Sequence, residues 1–108
     1  MHFLIIPKGI MHRFDCAEIV LADGKPVGLL KLQREPGTWH LHQLQLAGDV
    51  RGQGLGRRIL EQILTEADRA RVPVTLSVLK ANPARRLYER LGFVAVGEDA
   101  IEIHMSRQ

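Results

Sequence analysis

The chain has a single cysteine, Cys16, in 108 residues, so no intramolecular disulfide can form and no cysteine cage for zinc is at hand. A lone thiol points to a reducing compartment, and Cys16 is expected as a buried structural residue. Long apolar runs are missing too. The run at residues 3–6 stops at Pro7 and Lys8, far short of a secretory signal's core or of the ~20 residues of a membrane span. A soluble, cytoplasmic protein without a membrane partner is the expectation. Aromatic residues are only 5% of the chain, with almost none on the strand patterns where one could stack on a base. The formal charge of +3 gives a polyanion little to hold, although it is compatible with a small anionic ligand. There is no repeat, low-complexity tract or linker. An apolar content of 45% suffices for one core, and the length is too short for two, so residues 1–108 read as a single domain.

What is present is an order of strands and helices. Residues 17–22 are rich in β-formers, Asp23-Gly24 is a turn signal, and residues 27–32 follow as a hairpin partner. After the turn Glu35-Pro36-Gly37, residues 39–46 read as a strand in which Leu41 and Leu44 fall on different faces, a hint of a bulge. From Leu55 the period changes. Leu55, Ile59, Leu60, Ile63, Leu64 and Ala67 lie on one helical face, opposite Arg57, Arg58, Glu61, Gln62, Glu66 and Arg69. Val72-Pro73 ends this helix, and Val74, Leu76 and Val78 alternate as a strand able to run parallel to the one before it. Asn82-Pro83 predicts a helix start and Gly92 its end, giving a short helix over residues 83–91. Residues 93–96 and 101–105 are expected to close the sheet as an antiparallel pair. The class is α/β, with an antiparallel first half.

The segment Arg51-Gly52-Gln53-Gly54-Leu55-Gly56-Arg57 lies between a strand and a helix N-terminus, where unpaired N–H groups and the helix dipole favour a phosphate. A dinucleotide fingerprint would need a third glycine where Arg57 or Ile59 stands, and a nucleotide-triphosphate loop would need a Gly-Lys-Ser/Thr ending. Neither is present. The segment resembles instead the R/Q-x-x-G-x-G signature of the GNAT acetyltransferases, through Arg51, Gly54 and Gly56. Further on, Asn82, Ala84, Tyr88, Gly92 and Phe93 match the same superfamily's N-x-A-x-x-x-Y-x-x-x-G-F pattern at every fixed position. The resemblance runs from Val27 to the C-terminus, about three quarters of the chain.

That resemblance implies the GNAT fold, a mixed, mostly antiparallel sheet whose central fourth and fifth strands splay to admit acetyl-CoA. It implies that the backbone of Leu44 and Leu46 pairs with the pantetheine arm, with the Leu46 N–H as oxyanion donor, while as side chains both leucines read as core. Gln53, Gly54, Leu55, Gly56 and Arg57 would offer amides to the pyrophosphate, beside Gly52 and with charge from Arg51 and Arg57; Arg58 reads equally well as solvated. Asn82 would reach the pantetheine as well as capping its helix, and Arg85 or Arg86 would meet the 3′-phosphate or simply be exposed. Tyr88 would protonate the departing thiolate, the plain alternative being a tyrosine packed on the sheet. His40 and His42 alternate on the strand leading to the loop and resemble a His-x-His pair that some GNAT amine acetyltransferases carry there. Either would serve as general base, with His42 nearer the loop, against a structural role for both or a water chain as base. A zinc site from the pair lacks a third ligand, so no metal is expected.

The resemblance fails at the start. Family members usually begin with a strand and two helices that wall the acceptor pocket, and residues 1–15 are too few to hold them, so the fold is expected to lack the usual N-terminal helices. A truncated form, a completing partner subunit or an open groove would each account for this, and a homodimer is the first expectation. The implied activity is direct acetyl transfer from acetyl-CoA to a primary amine, small-molecule or peptide, with the acceptor unidentified. The alternative is a CoA-binding module with little or no catalysis.

Overall fold

A computed structural model describes residues 3–7, 17–48 and 54–108, so Cys16, Arg51, Gly52 and Gln53 lie outside the described residues. The described chain forms β1 (Phe3–Pro7), β2 (Ala17–Ala22), β3 (Lys25–Arg34), β4 (Trp39–Leu46), α1 (Leu55–Ala70), β5 (Val74–Leu79), α2 (Arg85–Arg90), β6 (Val94–Glu98) and β7 (Glu102–Arg107). All seven strands share one sheet in the order β1-β2-β3-β4-β5-β7-β6. Only β4 and β5 pair in parallel; every other neighbour is antiparallel. Among the described residues no helix precedes α1. β1 adds an edge strand that the apolar run alone does not distinguish from a short buried segment, because its partner β2 makes it a strand.

Local chemistry explains the boundaries. Asp23 and Gly24 both take positive φ (51° and 83°), the primed turn whose twist suits a tight hairpin. The six residues expected on the apolar face of α1 are the six that it buries. The helix ends with Arg71 in the left-handed region (φ 59°), its last carbonyls taken by the Arg71 and Val72 N–H groups. α2 is shorter than expected. Its first residues form a turn, in which Asn82 Oδ1 accepts from the Ala84 N–H (2.9 Å) and Asn82 O accepts from Arg85 N (3.2 Å), so the regular helix begins only at Arg85. Gly92, at φ 101°, lets Phe93 N reach back to Tyr88 O (3.0 Å), as expected of a helix-ending glycine.

The core lies between one face of the sheet and α1, with α2 beside it. Leu30, Leu32, Leu41, Val74, Leu76 and Met105 point from the strands toward Leu55, Ile59, Leu60 and Ile63. Arg107 joins the three elements, donating to Leu91 O (3.0 Å) and, through both terminal nitrogens, to the Asp68 carboxylate (2.8 and 3.3 Å). Strand alternation sends the other set of side chains to the opposite face. There Leu4, Ile19, Leu21, Leu29, Gln33, His40, Thr75, Ser77 and His104 are half-buried or exposed, and no described element covers them.

Candidate active site

The parallel pairing of β4 with β5 stops early. Trp39, His40 and Leu41 pair with Val74, Thr75 and Leu76, and beyond that rung the two strands part, β4 continuing to Leu46 and β5 to Leu79. A wedge opens between them. On its other side β4 stays paired with β3, but Lys31 opposes Gln43 while Leu32 opposes Leu41, so His42 is the extra residue of a bulge. The face change between Leu41 and Leu44 has this cause. The bulge returns Leu44 and Leu46 to the core face and leaves His42 exposed at the foot of the wedge. β3 fits closely there because residue 28 is glycine. A Cβ at Gly28 would stand 2.6 Å from Gln45 O and 2.7 Å from Leu46 Cδ2.

The N-terminus of α1 provides the polar end. Gly54 takes φ 76°, which glycine reaches without strain, and Arg58 N makes a helical bond back to Gly54 O (3.1 Å). The N–H groups of Leu55, Gly56 and Arg57 therefore lie ahead of the helical ladder, with no side-chain cap and no acidic residue in the first turn. Among the described residues, a Cβ at Gly54 would meet no atom within 4 Å. These features suit an anion held by backbone amides. Arg57 points outward, 3.9 Å from Glu61, and the Arg58 guanidinium lies over the Phe3 ring at 5.1 Å.

From α2, Tyr88 packs edge-on to Phe93 with ring centroids 5.8 Å apart, and burial raises the phenol above its ordinary pKa. The phenol thus keeps its proton over the whole neutral range. Asn82 is exposed and holds the turn before α2. Arg85 stays near Glu89 (3.8 Å) and lines a cleft of about 390 Å³ with residues 95–98 of β6, while Arg86 is exposed.

The open face gathers the histidines. His40 Nδ1 and Thr75 Oγ1 lie 2.6 Å apart, linking β4 to β5 one rung before the wedge. Burial, then the neighbouring His42, lowers the His40 pKa, against an opposing pull from Glu35. The two rings meet edge to face, with centroids 4.6 Å apart. His42 Nε2 faces Gln33 Oε1 (2.8 Å), which places its proton on Nε2 and its lone pair on Nδ1. Across the wedge is a group the sequence did not disclose: Ser77 hydrogen-bonds His104, whose ring lies 3.5 Å from the Asp99 carboxylate. Ser77 is 27 residues from His104, and the β5–β7 register, Ser77 opposite His104, brings those two together. Among the described residues no three His, Cys, Asp or Glu side chains are placed to hold a metal ion.

A model of the acetyltransferase (GNAT) domain matches residues 9–106, nearly the whole chain. The chain belongs to the GNAT family. Among GNAT structures, an acyl-CoA N-acyltransferase from Pseudomonas aeruginosa shares 30% identity over 85% of this chain and 67% of its own, with a TM-score of 0.70. PaiA N-acetyltransferase from Thermoplasma acidophilum, solved in complex with coenzyme A, shares the fold at 18% identity and a TM-score of 0.75, over 85% of this chain and 59% of its own. A curated relative, 5-NmdU N-acetyltransferase of Pseudomonas phage PaMx11, is 39% identical over 59 residues, or 54% of this chain. The chain spans less than two thirds of these last two proteins, 59% of one and 41% of the other.

Proposed function

We propose that this single domain transfers an acetyl group from acetyl-CoA to a primary amine through a ternary complex. One observation carries the reading: the wedge between β4 and β5 opens beside the uncapped N-terminus of α1 at Gly54. An extended pantetheine arm would enter the wedge as an added strand along Leu44 and Leu46. The pyrophosphate would lie on the amides of Gly54, Leu55, Gly56 and Arg57, with Arg51, Gly52 and Gln53 completing the loop and Arg51 and Arg57 adding charge. Asn82 would bond the arm from the α2 side, and Arg85 would approach the adenosine end.

The thioester then falls at the foot of the wedge, with the Leu46 N–H polarising its carbonyl. The amine reaches it from the open face, and a base on that face, His42, His40 or a water chain, takes up its proton. The carbon–nitrogen bond forms, the carbon–sulfur bond breaks, and Tyr88 on the helix side gives its proton to the departing thiolate. The acceptor is a small molecule or a peptide, and the open sheet face gives room for either. That open face also favours a second reading, a CoA-binding module without useful turnover.

Thermal unfolding with acetyl-CoA, with NAD as the control for a bulky phosphate ligand, tests the cofactor. Ligand at a hundredfold over its Kd should add about 2.7 kcal/mol, a rise on the order of 10 °C for a domain of this size. A rise with acetyl-CoA alone supports the reading. Equal shifts with both ligands, or none, would refute it. Binding without release of free CoA thiol across a panel of amines would favour the second reading.

A further inference from the structure

The wedge has two walls on the open face, and the roles above use only the β4 wall. Ser77 is the first residue of β5 beyond its pairing with β4, since Leu76 makes the last rung. Leu76 and Val78 are buried on the helix side, so Thr75 and Ser77 share the open face with His40. Two residues along a strand put Ser77 about 7 Å beyond Thr75, toward the mouth of the wedge. Ser77 Oγ lies 2.7 Å from His104 Nδ1. His104 Nε2 in turn lies 3.5 Å from Asp99 Oδ2. The Asp99 carboxylate is itself fixed, because its Oδ1 accepts from the N–H groups of Ile101 (2.9 Å) and Glu102 (2.8 Å). These bonds, backbone first, hold its pKa below the usual carboxylate range.

Asp99 thereby selects the tautomer. A carboxylate at Nε2 favours the proton there, which leaves the Nδ1 lone pair to accept from the Ser77 hydroxyl. Neither His40 nor His42 has a carboxylate bonded directly to its ring: His40 meets Thr75, and His42 meets Gln33. Of the three histidines, His104 is the one with a carboxylate oxygen near a ring nitrogen, at 3.5 Å.

We propose that Ser77, His104 and Asp99 form the relay that removes the acceptor amine's proton. This rests on the acetyl-transfer reading and assigns its base to the β5–β7 wall. A proton of the bound ammonium passes to Ser77 Oγ while the Ser77 hydroxyl proton passes to His104 Nδ1. The freed amine then bonds to the acetyl carbon, and its second proton leaves to solvent as the carbon–sulfur bond breaks. Tyr88 protonates the thiolate and regains its proton from solvent. Ser77 touches the substrate, His104 stores the proton, and Asp99 is a positioning residue that holds the ring. The serine is left as it began, the amide nitrogen is neutral, and the proton leaves from His104 to solvent between turnovers. Among the described residues, the charged and titratable groups on the elements around the relay include Lys80 and Glu98, paired at 2.8 Å at the β6 end, Arg85 of α2 beside Glu98, Glu102 on β7, and Lys31, His40 and His42 on the β3–β4 side.

The test compares His104→Gln, Ser77→Ala and Asp99→Asn with the unaltered chain. CoA thiol release is followed against pH with propylamine, which is protonated at neutral pH, and with methoxyamine, which is not. The relay predicts that His104→Gln lowers kcat/KM for propylamine by about 100-fold and removes the acidic limb of its pH profile. Methoxyamine should lose much less, and the acetyl-CoA thermal shift should not change. Asp99→Asn should lower kcat/KM for propylamine more than for methoxyamine, since the His104 ring is then held less firmly for proton uptake. An unchanged propylamine profile in His104→Gln, or equal losses with both amines, would overturn the relay while leaving acetyl transfer standing. Loss of the acetyl-CoA shift in His104→Gln would also overturn it, as a structural role. If the unaltered chain binds acetyl-CoA but acetylates neither amine, the relay falls together with the transfer reading.

Discussion

Tyr88 occupies a place where two demands meet, packing on Phe93 and proposed proton donation to sulfur. Tyr88→Phe keeps the ring contact and removes the proton, so acetyl-CoA affinity should hold while kcat falls by about 100-fold. Calorimetric binding beside steady-state kinetics checks this, and an equal loss of affinity would contradict the role. His40 makes a separate prediction about stability. Its folded pKa is lowered, chiefly by burial, so the unfolded chain binds more protons between the ordinary histidine value near ~6.5 and the lower folded value. Stability should therefore fall as pH drops through that window. His40→Gln should flatten the decline of Tm between about pH 7 and 5. An unchanged slope would assign it to other groups. Asp68, Glu98 and Asp99 have lowered pKa values, so their contributions are lost only at still lower pH.

At the scale of elements, the β4–loop–α1 unit combines a strand that leaves its neighbour with a helix whose first amides are uncapped. Gly54 opens the helix at positive φ, and among the described residues nothing stands where its side chain would project. Gly54→Ala would strain the backbone by about 1 kcal/mol and weaken acetyl-CoA binding only modestly. Gly54→Arg carries the same strain but fills the space a phosphate needs, so it should abolish the acetyl-CoA thermal shift. Equal affinities in the two variants would place the pyrophosphate elsewhere. The amphipathic pattern of α1 was legible in full, because six apolar residues on a 3.6-residue period have one way to be buried. The start of α2 was less so. Asn82 and Pro83 signal a beginning, but Asn82 satisfies Ala84 in a tight turn before the regular helix starts.

For the whole molecule, the consequential feature is asymmetry: α1 and α2 cover one sheet face, and among the described residues nothing covers the other. Leu4 is 59% exposed at its edge, beside the half-buried Leu21 in a cleft of about 410 Å³. A homodimer that covers this face is the assembly we propose. Sizing chromatography with light scattering should give twice the mass of the chain, and Leu4→Lys should return it to one. A monomer at every working concentration would sink the idea.

The two motifs stated the family and the ends of the proposed site, because a glycine-rich loop and an Asn-Pro turn before a helix are local in sequence. The bulge also left a trace, in the shift between Leu41 and Leu44. Local pattern cannot say where a parallel pair stops, since that depends on how β5 is held by β7 and how far β4 follows β3. The depth of the wedge below Leu41 and Leu76 was therefore decided by the assembled sheet. The same holds for Ser77 and His104, 27 residues apart and joined only by antiparallel register. Sequence determined what chemistry this chain can carry, and tertiary structure decided which side chains face one another across the place where it would occur.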